Sequence, residues 1–176
     1  MLEPIPEDFQ KESGTFFQSC MMCDCKLQDH PQGYFIEKAI KKYPEFDSTQ
    51  ELFAYAICYS CAHKMHQKLS VESRAKVKAF MMQCLTNNNI PKDLQRCSLT
   101  GDLASEMKEY QIQVFCMGDK MVPNHGPMLI GEIAIEEIAG LLSDKSWEEL
   151  DNFTDTFFGL PPAFRKAIKD RDYIII

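Results

Sequence analysis

The sequence predicts an α+β protein that is mainly helical. A zinc knuckle clipped to a helix forms its first half, and a small β-hairpin plus helices form its second. Three observations lead there. Two Cys-x-x-Cys pairs, Cys20-Met21-Met22-Cys23 and Cys58-Tyr59-Ser60-Cys61, offer four thiolates. Apolar residues recur at helical spacing in several segments, while clear two-residue alternation runs only through 110–117. Prolines and glycines fall between these segments as breakers.

The elements follow in order. Residues 1–14 read as a loosely held arm that Leu2, Ile5 and Phe9 can pin to a surface. Residues 15–18 suggest a short extended lead into Cys20, and 20–33 is too polar for a core element. Phe35, Ile36, Ala39, Ile40 and Tyr43 predict a helix over 34–43, with Lys38, Lys41 and Lys42 opposite and Pro44 as its stop. Ser48-Thr49-Gln50-Glu51 has the form of a capping box and predicts a second helix running into Cys58. Ser70 is a plausible cap for a helix over 71–85.

Asn87-Asn88-Asn89-Ile90-Pro91 marks the expected boundary between a zinc-binding module, 1–91, and an α+β module, 92–176, in contact with it. In the second module 110–117 predicts a strand, Gly118-Asp119 a turn, and Met121-Val122 a hairpin return. A turn at 124–127 and a short apolar run at 128–130 precede a helix over 132–142. Ser146-Trp147-Glu148-Glu149 reads as a capping box for a helix through Phe158, stopped by Gly159. A last short helix is expected over 163–169, and the apolar end, 173–176, is expected to dock or pair as an edge strand.

At 176 residues, 45% hydrophobic and 26% charged, the chain can build a core. No apolar run approaches the roughly 20 residues that span a bilayer, so no membrane role is expected. The acidic, proline-bearing start lacks a basic n-region and apolar h-region, which favours a cytoplasmic protein. In that setting eight cysteines point to metal rather than disulfides. The net charge is −7: residues 1–96 hold 12 basic and 12 acidic side chains, and 97–176 hold 7 and 14. An acidic body repels phosphate backbones, so any nucleic-acid contact must come from the first half.

Cys20, Cys23, Cys58 and Cys61 would fill a tetrahedral zinc site, and in small domains such binding is folding free energy. Cys25 or His63 is a possible substitute ligand, and His30 and His66 lie near enough in sequence to be considered. An iron–sulfur cluster fits the spacing poorly. A thioredoxin-like pair needs an apolar helical period after the motif, which 24–33 lacks. The 34 residues between the pairs exceed a compact ribbon's spacing. In outline the four cysteines, from Cys20 to about His66, are similar to treble-clef zinc folds, where a Cys-x-x-Cys turn meets two ligands from a helix. That resemblance implies a structural zinc ion and no particular activity.

Cys97-Ser98-Leu99-Thr100 and Cys116-Met117-Gly118-Asp119 are spaced like two knuckles that each lost a cysteine. Cys97, Cys116 and Asp119 would leave a coordination position open, as catalytic zinc does, and His125 could complete the set; buried cysteines in a metal-free hairpin are the plainer expectation. No phosphate loop, dinucleotide fingerprint, nucleophile elbow or His-Glu-x-x-His motif is present. The segment 63–78 carries Lys64, Lys68, Arg74, Lys76 and Lys78 against one acid, Glu72. Trp147, Phe153, Phe157, Phe158, Phe164 and the apolar end crowd the second half. The leading expectation is therefore a zinc-stabilised, non-enzymatic interaction module that binds a protein partner or itself. The alternatives are a nucleic-acid-binding regulator using 63–78 and a metal-dependent enzyme with a site near Cys97 and Cys116.

Overall fold

The computed structural model describes residues 1–87 and 93–158. The described chain is α+β and not mainly helical: four α-helices accompany one six-stranded, wholly antiparallel sheet. In chain order the elements are β1 (Glu3–Pro4), β2 (Tyr34–Tyr43), β3 (Ser48–Cys58), α1 (Tyr59–Lys68), α2 (Val71–Asn87), β4 (Glu109–Met117), β5 (Lys120–Met121), β6 (Met128–Gly131), α3 (Glu132–Leu141) and α4 (Asp144–Phe157). The strand order is β1-β5-β4-β2-β3, with β6 also pairing with β4. Strands from both sides of segment 88–92 thus share one sheet, β2 pairing with β4 from Tyr34↔Cys116 to Lys41↔Glu109.

The two helices expected over 34–43 and 48–58 are the strands β2 and β3. β2 is a central strand covered on both faces: Ile36, Glu37, Lys38 and Ala39 are all buried in succession. A strand buried on both faces loses its two-residue alternation, and its apolar positions can then mimic a helical stripe. The capping-box residues Ser48–Glu51 pair across the hairpin with Tyr43, Lys42, Lys41 and Ile40. Between the strands, Pro44–Phe46 form a 3-10 turn and Asp47 takes a left-handed conformation at φ 47°, which aspartate tolerates better than most residues. A bulge at Ala39/Ile40 gives β3 an extra residue at Leu52.

The arm is docked rather than loose. Glu3 and Pro4 pair with β5, while Ile5 and Phe9 are buried. Leu2 stays exposed. The core gathers Ile36, Ala39, Ile112, Val114, Leu129, Ile135 and Ile138 from the sheet and α3. Phe153 and Phe158 pack edge-on against the Tyr55 ring at 6.3 and 5.2 Å, closing the end of α4 onto β3.

In the second half, β4, the turn into β5 and α3 fall where the sequence puts them. Helix α4 starts earlier than expected. Its N-cap is Ser143, whose side chain accepts a hydrogen bond from the Ser146 backbone; Ser146 is inside the helix. Ser70 likewise caps α2, accepting from Ser73 N at 3.1 Å. Ser143→Ala should cost about 1 kcal/mol and lower the melting temperature by about 2–4 °C. An unchanged thermal melt would contradict that role. The expected boundary at 88–91, the helix over 163–169, Phe164 and the apolar end at 173–176 lie outside the described residues, apart from Asn87 at the end of α2.

Candidate metal centre

Cys20 and Cys23 sit in a tight turn. Cys20 N donates to Cys25 O at 2.9 Å, and Asp24 N donates to Cys20 O at 2.9 Å. Asp24 takes a left-handed φ of 59°, which turns the chain back. A bridge between Ser19 and Lys26 closes the base. Met21 N then donates to Ala56 O at 2.9 Å, hanging the turn on the end of β3. Cys58 is the N-cap of α1, and Cys61 lies in its first turn. Turn, β2–β3 hairpin and helix N-terminus follow one another, so the long gap between the cysteine pairs is a hairpin rather than helices.

Gly33 joins the turn to the hairpin and must be glycine. Its φ is +79°, and a Cβ there would run into the Cys116 carbonyl. Its own carbonyl accepts from Tyr59 N at 3.0 Å, fixing the start of α1.

The sulfurs of Cys20, Cys23, Cys58 and Cys61 all lie within 4.8 Å of one another. Cys23 Sγ and Cys58 Sγ are 3.9 Å apart, close to the roughly 3.8 Å edge of a tetrahedron with zinc–sulfur bonds of about 2.3 Å. Cys20, Cys58 and Cys61 are buried and Cys23 is exposed. Cys58 N donates to Cys20 Sγ at 3.3 Å, the kind of contact that steadies a ligating thiolate. These four side chains can hold a metal ion. A second group, Cys25, His30 and Cys58, shares one member with the first, so Cys25 and His30 flank the site. His63 belongs to neither group; its ring stacks on Tyr59 at 6.2 Å and it is exposed.

No family model, no curated protein and no solved structure matches this chain. What the centre can do therefore rests on its chemistry. Burial pushes the Cys58 thiol up, and burial first and neighbouring thiols second push Cys61 far above the usual range. Cys25 is pushed up to about 12, again first by burial. Cys23 is lowered to about 7, chiefly by a hydrogen bond from the Cys25 backbone. Cys58 and Cys61 thus carry protons at neutral pH and must release them to a metal. Metal affinity should rise with pH by at least about 100-fold per unit, since Cys58 and Cys61 alone release two protons. Below about 7 Cys23 adds its own proton and the slope steepens. A competition titration across that range checks this; a pH-independent affinity would contradict it.

The other expected ligands do not converge. Cys97, Cys116 and Asp119 form no group of close ligand atoms among the described residues. Cys116 is buried beside Tyr34, its thiol pushed up to about 12 by burial, while Asp119 is exposed. Tyr34 Oη donates instead to Gly118 O at 3.0 Å. His125 packs edge-on against Phe115 at 5.7 Å.

The basic segment is divided between two helices. Lys64 and Lys68 belong to α1, and Arg74, Lys76 and Lys78 to α2. Lys68 approaches Glu149 at 3.8 Å and Lys76 pairs with Glu72 at 2.6 Å. Arg74 donates to Gln67 at 2.9 Å, and its buried Nε has no hydrogen-bond partner among the described residues. It lines a cavity of about 260 Å³ beside α1, walled by Phe35, Ile57, Met65 and Val77, with His63 and His66 on the same lining. Burial and the Arg74 charge lower the His66 pKa. The sequence showed the charges of this segment but not the cavity, because its apolar wall comes from β2, β3 and both helices. Among the described residues no helix is long and apolar enough to cross a membrane.

Proposed function

We propose that the protein is a zinc-stabilised interaction module without enzymatic activity, whose metal serves as a clasp. The observation that carries this is the mutual approach of four cysteine sulfurs within 4.8 Å, three of them buried. Four soft thiolates suit zinc and leave no open position for substrate. Cys20, Cys23, Cys58 and Cys61 are the ligands. All eight cysteines are free, which fits a reducing, cytoplasmic setting.

The clasp holds the β2–β3 hairpin against α1, and the neighbouring cavity is the surface it shapes. Ile57, Tyr59, Ala62 and Met65, all close in sequence to Cys58 and Cys61, contribute to that lining. An apolar wall with Arg74, His63 and His66 suits a protein segment that presents an apolar side chain beside a carboxylate. The decisive measurement is elemental analysis of the purified protein, which should give about one zinc per chain. Absence of metal, or iron with a visible chromophore, would overturn the reading.

A further inference from the structure

We infer that the chain is a fused pair of knuckle–hairpin–helix units related by an internal two-fold, and that the second unit has lost its metal site. The backbone of the Cys97 turn repeats that of the Cys20 turn bond for bond. Cys97 N donates to Asp102 O at 2.8 Å and Gly101 N to Cys97 O at 2.9 Å, as Cys20 N does to Cys25 O and Asp24 N to Cys20 O. Gly101, like Asp24, has positive φ. Arg96 bridges Leu103 as Ser19 bridges Lys26. Ala104 N donates to Gln95 O at 2.8 Å, as Leu27 N does to Gln18 O at 2.8 Å.

The repeat extends to the partner helix. Ser98 N donates to Leu129 O at 2.7 Å, as Met21 N does to Ala56 O. Gly131, the N-cap of α3, donates its N–H to Cys97 Sγ at 3.4 Å, as Cys58, the N-cap of α1, does to Cys20 Sγ. The counterparts of the ligands Cys20, Cys23, Cys58 and Cys61 are thus Cys97, Thr100, Gly131 and Ala134. The sequence spacing had paired Cys97 with Cys116, whereas the fold pairs it with Gly131.

The two units also meet as identical halves would. In a two-fold contact, if one residue touches a second, their counterparts touch in exchange. β2 and its counterpart β4 pair antiparallel, as a two-fold requires: Tyr34, which faces the N-cap Cys58, pairs with Cys116, and Tyr110, which faces the N-cap Gly131, pairs with Ile40. The helix pairs behave alike. Leu69-Ser70-Val71-Glu72-Ser73 and Leu142-Ser143-Asp144-Lys145-Ser146 both follow the first helix of a unit and open its second. Ser70 N donates to Ser146 Oγ at 2.9 Å, and Ser143 N donates to Ser73 Oγ at 2.8 Å. Ser70 and Ser143 hydroxyls touch at 2.9 Å between them.

Unit two is closed by an apolar plug where unit one has thiols. A Cβ placed on Gly131 would meet the Met107 Sδ and Cε at 2.7 Å, so the Met107 thioether occupies the space that a ligand side chain at 131 would need. Met107 stands where His30 stands in unit one. Cys97, Leu99, Met107 and Ala134 are all buried.

The test restores the missing ligands in the full chain with Thr100→Cys, Gly131→Cys and Ala134→Cys, together with Met107→Ala to clear the space. Gly131 has φ −82°, so a side chain there brings no backbone strain. Cobalt(II) is the probe, read by thiolate charge transfer and tetrahedral d–d bands. The variant should take one equivalent more than the unaltered chain. The unaltered chain's own equivalent reports on the clasp, and the difference reports on the duplication, so the two can fail separately. A smaller set, Thr100→Cys with Gly131→Cys and Met107→Ala, leaves the packed Ala134 alone and should also gain an equivalent through three thiolates. A variant that folds only with cobalt present supports the inference equally. Folded variants that gain no equivalent, or chains that stay unfolded with cobalt, would overturn it.

Discussion

Cys61→Ser is expected to destabilise the protein by about 3–5 kcal/mol, lowering the melting temperature by roughly 10 °C. Chelation of the metal from the unaltered chain should do the same. Cys61 lies buried in the first turn of α1, and its loss leaves three sulfurs that close the knuckle against the helix less tightly. Cys61 is a cleaner position than Cys58. Serine at an N-cap accepts from the backbone of the next turn and contributes about 1 kcal/mol, so Cys58→Ser would hide part of the loss. The affected region should be local: hydrogen exchange should rise first at Cys20 N, Met21 N and Cys58 N, whose bonds join turn, strand and helix. Equal melting with and without chelator would show that the cluster binds nothing of structural value.

Lys38→Met is expected to cost about 2–3 kcal/mol. Lys38 Nζ is buried on the central strand, donating to Glu51 at 2.8 Å and to the Gln10 carbonyl. Removing one member of a buried pair leaves the other charge uncompensated, worth roughly 3–5 kcal/mol when both are fully buried. Glu51 is 24% exposed, so water screens part of that loss. The Gln10 contact gives the variant a second signature. It ties down the arm that carries Ile5 and Phe9, so exchange or proteolysis within residues 1–14 should increase. The pair replaced together, Lys38→Met with Glu51→Leu, should recover much of the stability. A double variant no better than the single one would argue against the ion pair as the cause.

These two positions also show how far the sequence could be read. The metal-centre residues were legible because Cys-x-x-Cys carries its geometry with it: two sulfurs three residues apart converge in one turn, whatever surrounds them. The helices α2, α3 and α4 were legible because each has an apolar stripe or a serine at its start, although Ser143 rather than Ser146 caps the last. Lys38 was misleading. It reads as part of the polar face of a helix, but it is buried on β2 beside Glu37, which accepts from Tyr55 Oη at 2.7 Å. No local rule announces a charged pair whose partners are 13 or 18 positions away or on the arm.

The Cys97 turn marks the same limit from the other side. Its spacing to Cys116 resembled a ribbon, yet the group that meets the Cys97 sulfur is the N–H of Gly131, at the end of β6 and the N-cap of α3. A knuckle shape persists there without ligands because its turn is held by backbone hydrogen bonds, which thiols do not supply. The sequence by itself determined where a metal can be gripped, which segments open as helices in the second half, and where charge accumulates. Only the tertiary structure decided that the stretch between the cysteine pairs is a hairpin and that one sheet runs across both halves. It also decided that two similar units face each other. Strand pairing is non-local: a central strand takes its conformation from the neighbours that satisfy its backbone and cover both its faces, and those neighbours are not written in its own period.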